Sequence, residues 1–336
     1  MTYKRVIITQ FGPPDVLEVI EEANLPQPGP DQVRVKVQAA GAAFTDTMIR
    51  KGKYPDVKQK PPFTPGYDMV GVVDKLGDGV KGLEVGQRVA ALTVIGSYAE
   101  YMRLPVERVV VVPAAIDPAE AVSLVLSYVT AYQMLHRVAK VHAGEKILVH
   151  GAGGGVGTAL LQLGRLLDLE MYGTEVISKH ELISNLGATP IDYKSEDFVE
   201  RVISETGGGV DAVFDHIGGS HFKRSLDTLA PGGTLVGYGF YNAVMGKGGS
   251  IPVDFLRLKV WDLLPNGRAA TFYSIAPWRE KHPDWFREDL THLFELLSQE
   301  KIAPHIWKRV GLNDVIQAHK WIEQAVPQGK IVLDLG

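Results

Sequence analysis

"KILVHGAGGGVGTALLQ", residues 146–162, is the stretch whose reading decides the fold. It opens on a β-branched apolar run, passes through the glycine-dense heptad "GAGGGVG" at 151–157, and continues into "TALLQLGRLL", where apolar residues recur at helical spacing. A glycine-rich turn alone settles little, because glycine also serves ordinary turns and close packing. Set between a strand and an amphipathic helix it has a narrower meaning: backbone can approach a pyrophosphate there, and the first N–H groups of the helix point at it. Ala152 to Gly157 reads as AxGxxG, with alanine where the commonest dinucleotide fingerprint has its first glycine.

The flanks support that meaning. Strand-like and helix-like segments alternate after residue 146: "KILVHG", the helix "VGTALLQLGRLL", "EMYGTEV", the helix "HELISNLG", "PIDY", the helix "EDFVERVISETG", "DAVFDHIG", the helix "SHFKRSLDTLAPGG" over 220–233, and "TLVGYG". Such alternation predicts an α/β fold with a doubly wound parallel sheet covered on both faces. A Gly-rich loop at 245–250 and a last strand, "RAATFYSI", close the series; the loop reads either as a flap or as a plain connection. Before it, from Arg5 to about Val112, short β-branched runs punctuated by Gly and Pro predict a β-rich region. Asp117 is placed to cap and Pro118 to begin a long helix that bridges the two regions. After residue 274 the chain reads as helical and ends on "GKIVLDL", a strand able to return to the first sheet.

Composition limits the function classes. The 336 residues suffice for about two domains at roughly 150 residues each. With 35 Lys and Arg against 39 Asp and Glu, no basic footprint for nucleic acid is expected. The absence of cysteine removes disulfides, thiolate nucleophiles and thiolate zinc sites together, and agrees with a cytoplasmic address. The most apolar stretch, Ala121 to Leu135, is too short and too hydroxylated for a membrane span. No Gly-x-Ser-x-Gly elbow is present, which makes a hydrolase a poor competitor.

The end of the second strand of a dinucleotide fold separates NAD from NADP, and here the signals are mixed. Glu175 stands where a carboxylate would accept from the ribose hydroxyls and repel a 2′-phosphate, whereas Lys179 and Tyr193 suit the phosphate. The balance is read toward NADPH, with NADH left open.

"GEKILVHGAGGGVGTALLQ" resembles the zinc-free quinone oxidoreductase (zeta-crystallin and VAT-1-like) branch of the medium-chain dehydrogenase/reductases. "TDTMIRKGKYP", "TPGYDMVGVV", "SYVTAY", "SKHELISNLGATPIDY", "DHIGG" and "LAPGGTLVGYG" extend the resemblance over nearly the whole chain. It implies a GroES-like β-rich catalytic domain from residues 1–122 and 274–336, a Rossmann NADP-binding domain over 123–273, and an active site in the cleft between them. It also implies a homodimer whose Rossmann sheets join through their last strands. Carried over residue by residue, Thr130 meets the nicotinamide side. Gly153, Gly154, Gly155 and Val156 meet the pyrophosphate. Gly173, Glu175, Ser178, Lys179 and Tyr193 surround the adenosine ribose, and Ile217, Gly218, Tyr238, Gly239 and Phe240 line the remaining cofactor edge. Two departures are Ala43, where many members have Asn, and Glu175, where the VAT-1-like pattern has a small uncharged residue.

Zinc enzymes of the same superfamily hold their metal with Cys and a Gly-His-Glu histidine. The corresponding segment here is Gly66-Tyr67-Asp68, so no metal site is expected. Without a Lewis acid the acceptor should carry its own electron sink, as a quinone or α,β-unsaturated carbonyl does. Tyr54 is the first candidate for a hydrogen-bond donor to it, with Tyr67 and Asp46 behind. The expectation is an NADPH:quinone oxidoreductase-like enzyme; the rivals are an enoyl-thioester or alkenal reductase of the same fold and a non-catalytic NADPH-binding accessory protein.

Overall fold

The computed structural model describes residues 1–265 and 267–336. Two units emerge, Met1–Val129 with Arg279–Gly336, and Thr130–Trp278. In the second unit the strands are β1 (Lys146–His150), β2 (Glu170–Glu175), β3 (Thr189–Asp192), β4 (Val210–Asp215), β5 (Leu229–Gly237) and β6 (Ala269–Phe272). They form one all-parallel sheet in the order β3-β2-β1-β4-β5-β6. Ile147, Leu148 and Val149 on β1 are fully buried, as a strand covered on both faces requires. Strand order reverses between β1 and β4, and the Gly-rich turn leaves β1 at that point, where open α/β sheets bind ligands.

The helices that alternate with these strands are α1 (Gly155–Leu166), α2 (His180–Asn185), α3 (Phe198–Thr206), α4 (His221–Asp227) and α5 (Ile251–Asp262), besides a short turn at Tyr241–Val244. Their ends follow local chemistry. Asp197 accepts from the N–H groups of Val199 and Glu200 to start α3, and Gly207, at φ 71°, stops it. The helix expected over 220–233 ends at Asp227, because Leu229 already pairs with Val210 in the sheet. Helix α5 was not legible in the sequence. Its apolar residues do not gather on one face, and Val253, Leu256 and Val260 point to solvent.

The first unit is built on a seven-stranded sheet. Its path runs Ile306–Val310, Lys330–Asp334, Gln32–Ala42, Asp68–Leu76, Arg88–Leu92 and Val110–Val111, with Tyr101–Pro105 also paired to Gln32–Ala42. Alternate residues Val33, Val35 and Val37 pack with Met69, Val73 and Val89 in its core. The C-terminal strand pairs antiparallel with Gln32–Ala42, while the N-terminal strand Tyr3–Ile8 pairs with Leu17–Glu22 in a separate two-stranded sheet. The helical run Pro118–Ala139, capped by the Asp117 carboxylate, contains two wider π turns at Leu124–Tyr128 and Met134–Ala139. It has no break at 122/123, and the boundary between the units falls within it at Val129/Thr130; the second boundary lies at Trp278/Arg279 rather than 273/274. Among the described residues no helix is long and apolar enough to cross a membrane.

Candidate functional site

The turn after β1 is shaped by sterics that differ at each glycine. A Cβ on Gly157 would lie 2.3 Å from the carbonyl oxygen of Gly151, and one on Gly173 2.7 Å from the Cβ of Ala152. These two glycines serve the close approach of α1 and β2 to the turn. At Gly154 a Cβ would press on one atom, the carbonyl oxygen of Gly151 at 3.3 Å, and would meet nothing else within 4 Å. Gly154 is the N-cap of α1 and supplies no side-chain cap, which leaves the first N–H groups of a 12-residue helix facing outward without an intrahelical partner. The turn is pinned to β2, where the N–H groups of Gly151 and Ala152 both donate to Thr174 O, at 3.1 and 3.3 Å. The Asp215 carboxylate organises the neighbouring loop by accepting from Ile217 and Gly218 N–H at 2.6 and 3.2 Å.

These residues fit a dinucleotide. The uncapped helix end offers donors for a pyrophosphate, and the open face at Gly154 is a cradle that a Cβ would begin to fill. Beside Gly151 the ring of His216 carries a buried Nδ1 with no hydrogen-bond partner, and burial holds that imidazole neutral by lowering its pKa.

Glu175 ends β2 and is buried together with Lys179; their side chains form an ion pair at 3.5 Å. Tyr193, just beyond β3, is half exposed, and Ser178 is exposed. Thr130 is buried, while Ile217, Tyr238 and Gly239 are partly exposed. Phe240 stacks on Phe272 at 4.6 Å, so its side chain belongs to the core.

Sequence reading missed a buried polar relay behind the turn. His150 Nδ1 meets Thr174 Oγ1 at 2.8 Å and its Nε2 meets Ser225 Oγ at 3.1 Å. Ser225 donates to Asp215 Oδ2 at 2.6 Å, which also holds His221 Nδ1 at 2.8 Å. Burial alone would raise the Asp215 carboxyl, but His221, His150 and the serine hydroxyl hold it well below the carboxylate range. His150, Asp215 and His221 are the only group of metal-ligating side chains close enough to share an ion among the described residues. Here they are joined by hydrogen bonds instead, Ser225 Oγ lying 3.1, 2.6 and 3.5 Å from His150, Asp215 and His221.

In the first unit, Tyr54 and Tyr67 share a hydrogen bond at 2.5 Å, their rings edge to face at 5.7 Å. Tyr67 is fully buried, and burial followed by the nearby Tyr54 pushes its phenol well above the usual range. It can therefore act only as a neutral hydroxyl, donating to one partner while accepting from another. Asp46 is also fully buried. Its Oδ2 accepts from Ala43 N–H at 2.9 Å to begin the helix Phe44–Arg50, and its Oδ1 has no hydrogen-bond partner.

Around Asp46 lies a charge network with no motif in the sequence. Lys330 reaches Asp68 at 3.1 Å, with both buried, and the N–H of Gly41 donates to Asp68 at 2.8 Å. A Cβ on Gly41 would strike both side chains, so that glycine makes room for the pair. Arg50 is buried and paired with Glu323, beside His319. Burial, reinforced by Asp68, pushes the Asp46 carboxyl up to about 7. The phenol of Tyr128 is buried with its hydroxyl unpartnered, and desolvation keeps it protonated.

Residues 29–114 match the alcohol dehydrogenase GroES-like domain, and residues 186–333 match the zinc-binding dehydrogenase family. The human synaptic vesicle membrane protein VAT-1 homolog-like is 32% identical over 344 residues, covering 99% of this chain and 81% of the relative. A 2-haloacrylate reductase of Burkholderia sp is 33% identical over 339 residues, covering 97% of each. The Escherichia coli quinone oxidoreductase solved with NADPH superposes with a TM-score of 0.89 at 28% identity, covering 98% of this chain and 99% of that one.

Proposed function

We propose that this chain, which belongs to the quinone oxidoreductase and VAT-1-like branch of the medium-chain dehydrogenase/reductases, is an NADPH-dependent reductase of quinones or other conjugated carbonyls that works without a metal. The observation that carries the cofactor reading is the uncapped N-terminus of α1 opening over Gly154. NADPH when bound would supply a hydride, and the acceptor would take it together with one proton. On this reading Gly154, Gly155 and Val156 hold the pyrophosphate through their backbone. Lys179 and Tyr193 face the 2′-phosphate, and Thr130, Ile217, Gly218, Tyr238 and Gly239 border the rest.

The Tyr54–Tyr67 pair supports an acceptor that delocalises negative charge. A phenol fixed by a second phenol donates one hydrogen bond to a developing enolate or hydroquinone oxygen, and a charge already spread over a conjugated system needs little more. A simple ketone would build a localised alkoxide, for which this chain offers neither zinc-binding thiolate nor Gly-His-Glu histidine. The similarity to the Burkholderia 2-haloacrylate reductase, a reductase of an activated alkene, supports the alkene arm of the same reading.

Homodimerisation through β6 also belongs to the proposal. That strand is the sheet's edge, and beside it α5 and the residues after it expose Val253, Leu256, Val260, Leu263 and Leu264. A cytoplasmic location agrees with a chain that has no cysteine.

The test is oxidation of NADPH and NADH followed at 340 nm against para-quinones, ortho-quinones, alkenals and enoyl-thioesters, with and without EDTA. Turnover that survives the chelator supports metal-free reduction, and the best acceptor class selects between quinone and alkene. Turnover abolished by EDTA and restored by zinc would refute the metal-free mechanism. Tight dinucleotide binding with no turnover on any acceptor would favour a binding protein.

A further inference from the structure

We propose that the Glu175–Lys179 ion pair is a specificity switch at the adenosine end of the dinucleotide site, letting this chain accept NADH and NADPH with comparable affinity. The inference rests on the reading that the Gly-rich turn binds a dinucleotide, and goes beyond it by naming the pair that sets which one.

Position comes first. Glu175 is the last residue of β2, one step past Thr174, whose carbonyl pins the Gly-rich turn. Its register partner on β3 is Asp192, and Tyr193 follows directly. A carboxylate at this end of the second strand is where a Rossmann unit meets the adenosine ribose diol. Both Glu175 and Lys179 lie against the turn. A Cβ on Gly153 would come within 2.8 Å of Lys179 Cδ and 3.3 Å of Glu175 Cγ and Oε2. Glu175 is held by two contacts, Oε1 accepting from Val176 N–H at 3.0 Å and Oε2 facing Lys179 Nζ at 3.5 Å. Tyr193 senses the same carboxylate: burial first and Glu175 next hold its phenol proton more tightly.

Charge does the rest. An unphosphorylated ribose brings two hydroxyl donors and no charge, so Glu175 can accept from them while keeping Lys179. A 2′-phosphate brings nearly two negative charges and cannot sit beside a paired carboxylate unless Lys179 turns toward it. Lys179 carries one charge for two claimants. With NADPH, Glu175 loses part of its counter-ion in a buried place; with NADH, Lys179 contributes nothing to the ligand. Each cofactor is thus bound with one partner working and the other compromised, which evens out the two affinities. Removing either charge should break the tie in opposite directions.

The experiment measures dissociation constants rather than turnover. Purified wild type, Glu175→Gln and Lys179→Met are titrated with NADPH, NADH, 2′,5′-ADP and 5′-AMP by calorimetry, each variant first checked for its unfolding temperature. Wild type should bind NADPH and NADH within about tenfold of one another. Glu175→Gln should move the ratio at least tenfold toward NADPH, and the same displacement should appear between 2′,5′-ADP and 5′-AMP, which lack the nicotinamide. Lys179→Met should move it at least tenfold toward NADH. A ratio in Glu175→Gln within twofold of wild type would overturn the switch while leaving dinucleotide binding intact. Failure of wild type to bind either dinucleotide would instead overturn the site itself.

Discussion

Replacing two glycines of one turn by alanine should give opposite phenotypes. In Gly157→Ala the new Cβ would lie 2.3 Å from Gly151 O and 2.7 Å from the Cα and C of Ala152. All three are backbone atoms, so no rotamer change relieves the contact and the strand–turn–helix junction has to shift, at a cost of about 1–3 kcal/mol. In Gly154→Ala the nearest atom is 3.3 Å away and the backbone sits at φ −85°, ψ 177°, which any residue adopts. One tight contact, with the carbonyl oxygen of Gly151, adds to the weaker capping preference of alanine, which costs about 0.5–1 kcal/mol. That methyl group nevertheless projects from the open side, where a phosphate would approach the first N–H groups of α1. Charge-assisted hydrogen bonds to such donors contribute about 1.5–3 kcal/mol, so NADPH affinity should fall by roughly 10- to 100-fold. Urea unfolding gives the first quantity and fluorescence titration with NADPH the second. Gly154→Ala binding NADPH like wild type would refute the placement of the phosphate. Gly157→Ala as stable as wild type would refute the packing argument.

Asp46 supplies a pH test. Its folded pKa of about 7 lies above the 3.8 of an ordinary Asp, so its contribution to stability is complete below about pH 4 and is lost as pH rises through 7. The wild-type-minus-Asp46→Asn difference in unfolding free energy should decline by up to about 1.4 kcal/mol per pH unit across that window; a flat difference would contradict it. Lys330→Met should destabilise by about 3–5 kcal/mol, because it strands the Asp68 carboxylate, and Asp68→Asn in the same chain should recover most of the loss. Tyr54→Phe should lower kcat on the best acceptor at least tenfold without changing the dissociation constant for NADPH, and an unaltered kcat would remove Tyr54 from the mechanism.

What the sequence made legible was whatever depends on neighbours in the chain. The alternation after residue 146 and the Asp117-Pro118 helix start are local patterns, and the sheet order and the Asp117 cap agree with them. Helix α5 was hidden because it lacks a buried stripe, and the overrun past Asp227 arose because "LAPGG" reads as a helix end when it is already the start of β5. The polar devices were hidden for a different reason. His150, Asp215 and Ser225 come from three separate segments, and Asp68 and Lys330 lie 262 residues apart in the chain. Nothing in the composition around any of them separates a buried charge from a surface one.

Those long-range partners explain how the first unit tolerates so much buried charge. Lys330 neutralises Asp68 and Arg50 is paired with Glu323, each pair closed by a residue from the C-terminal segment. Asp46 is the acid left over, close enough to Asp68 to feel its charge and not itself bonded to Lys330. A low-dielectric site cannot keep that extra negative charge cheaply, so the group meets the condition by retaining its proton to near neutrality. The C-terminal strand is therefore more than an addition to the sheet. It delivers the cation that pairs with the buried Asp68 carboxylate, and loss of Lys330 should lower the stability of the unit.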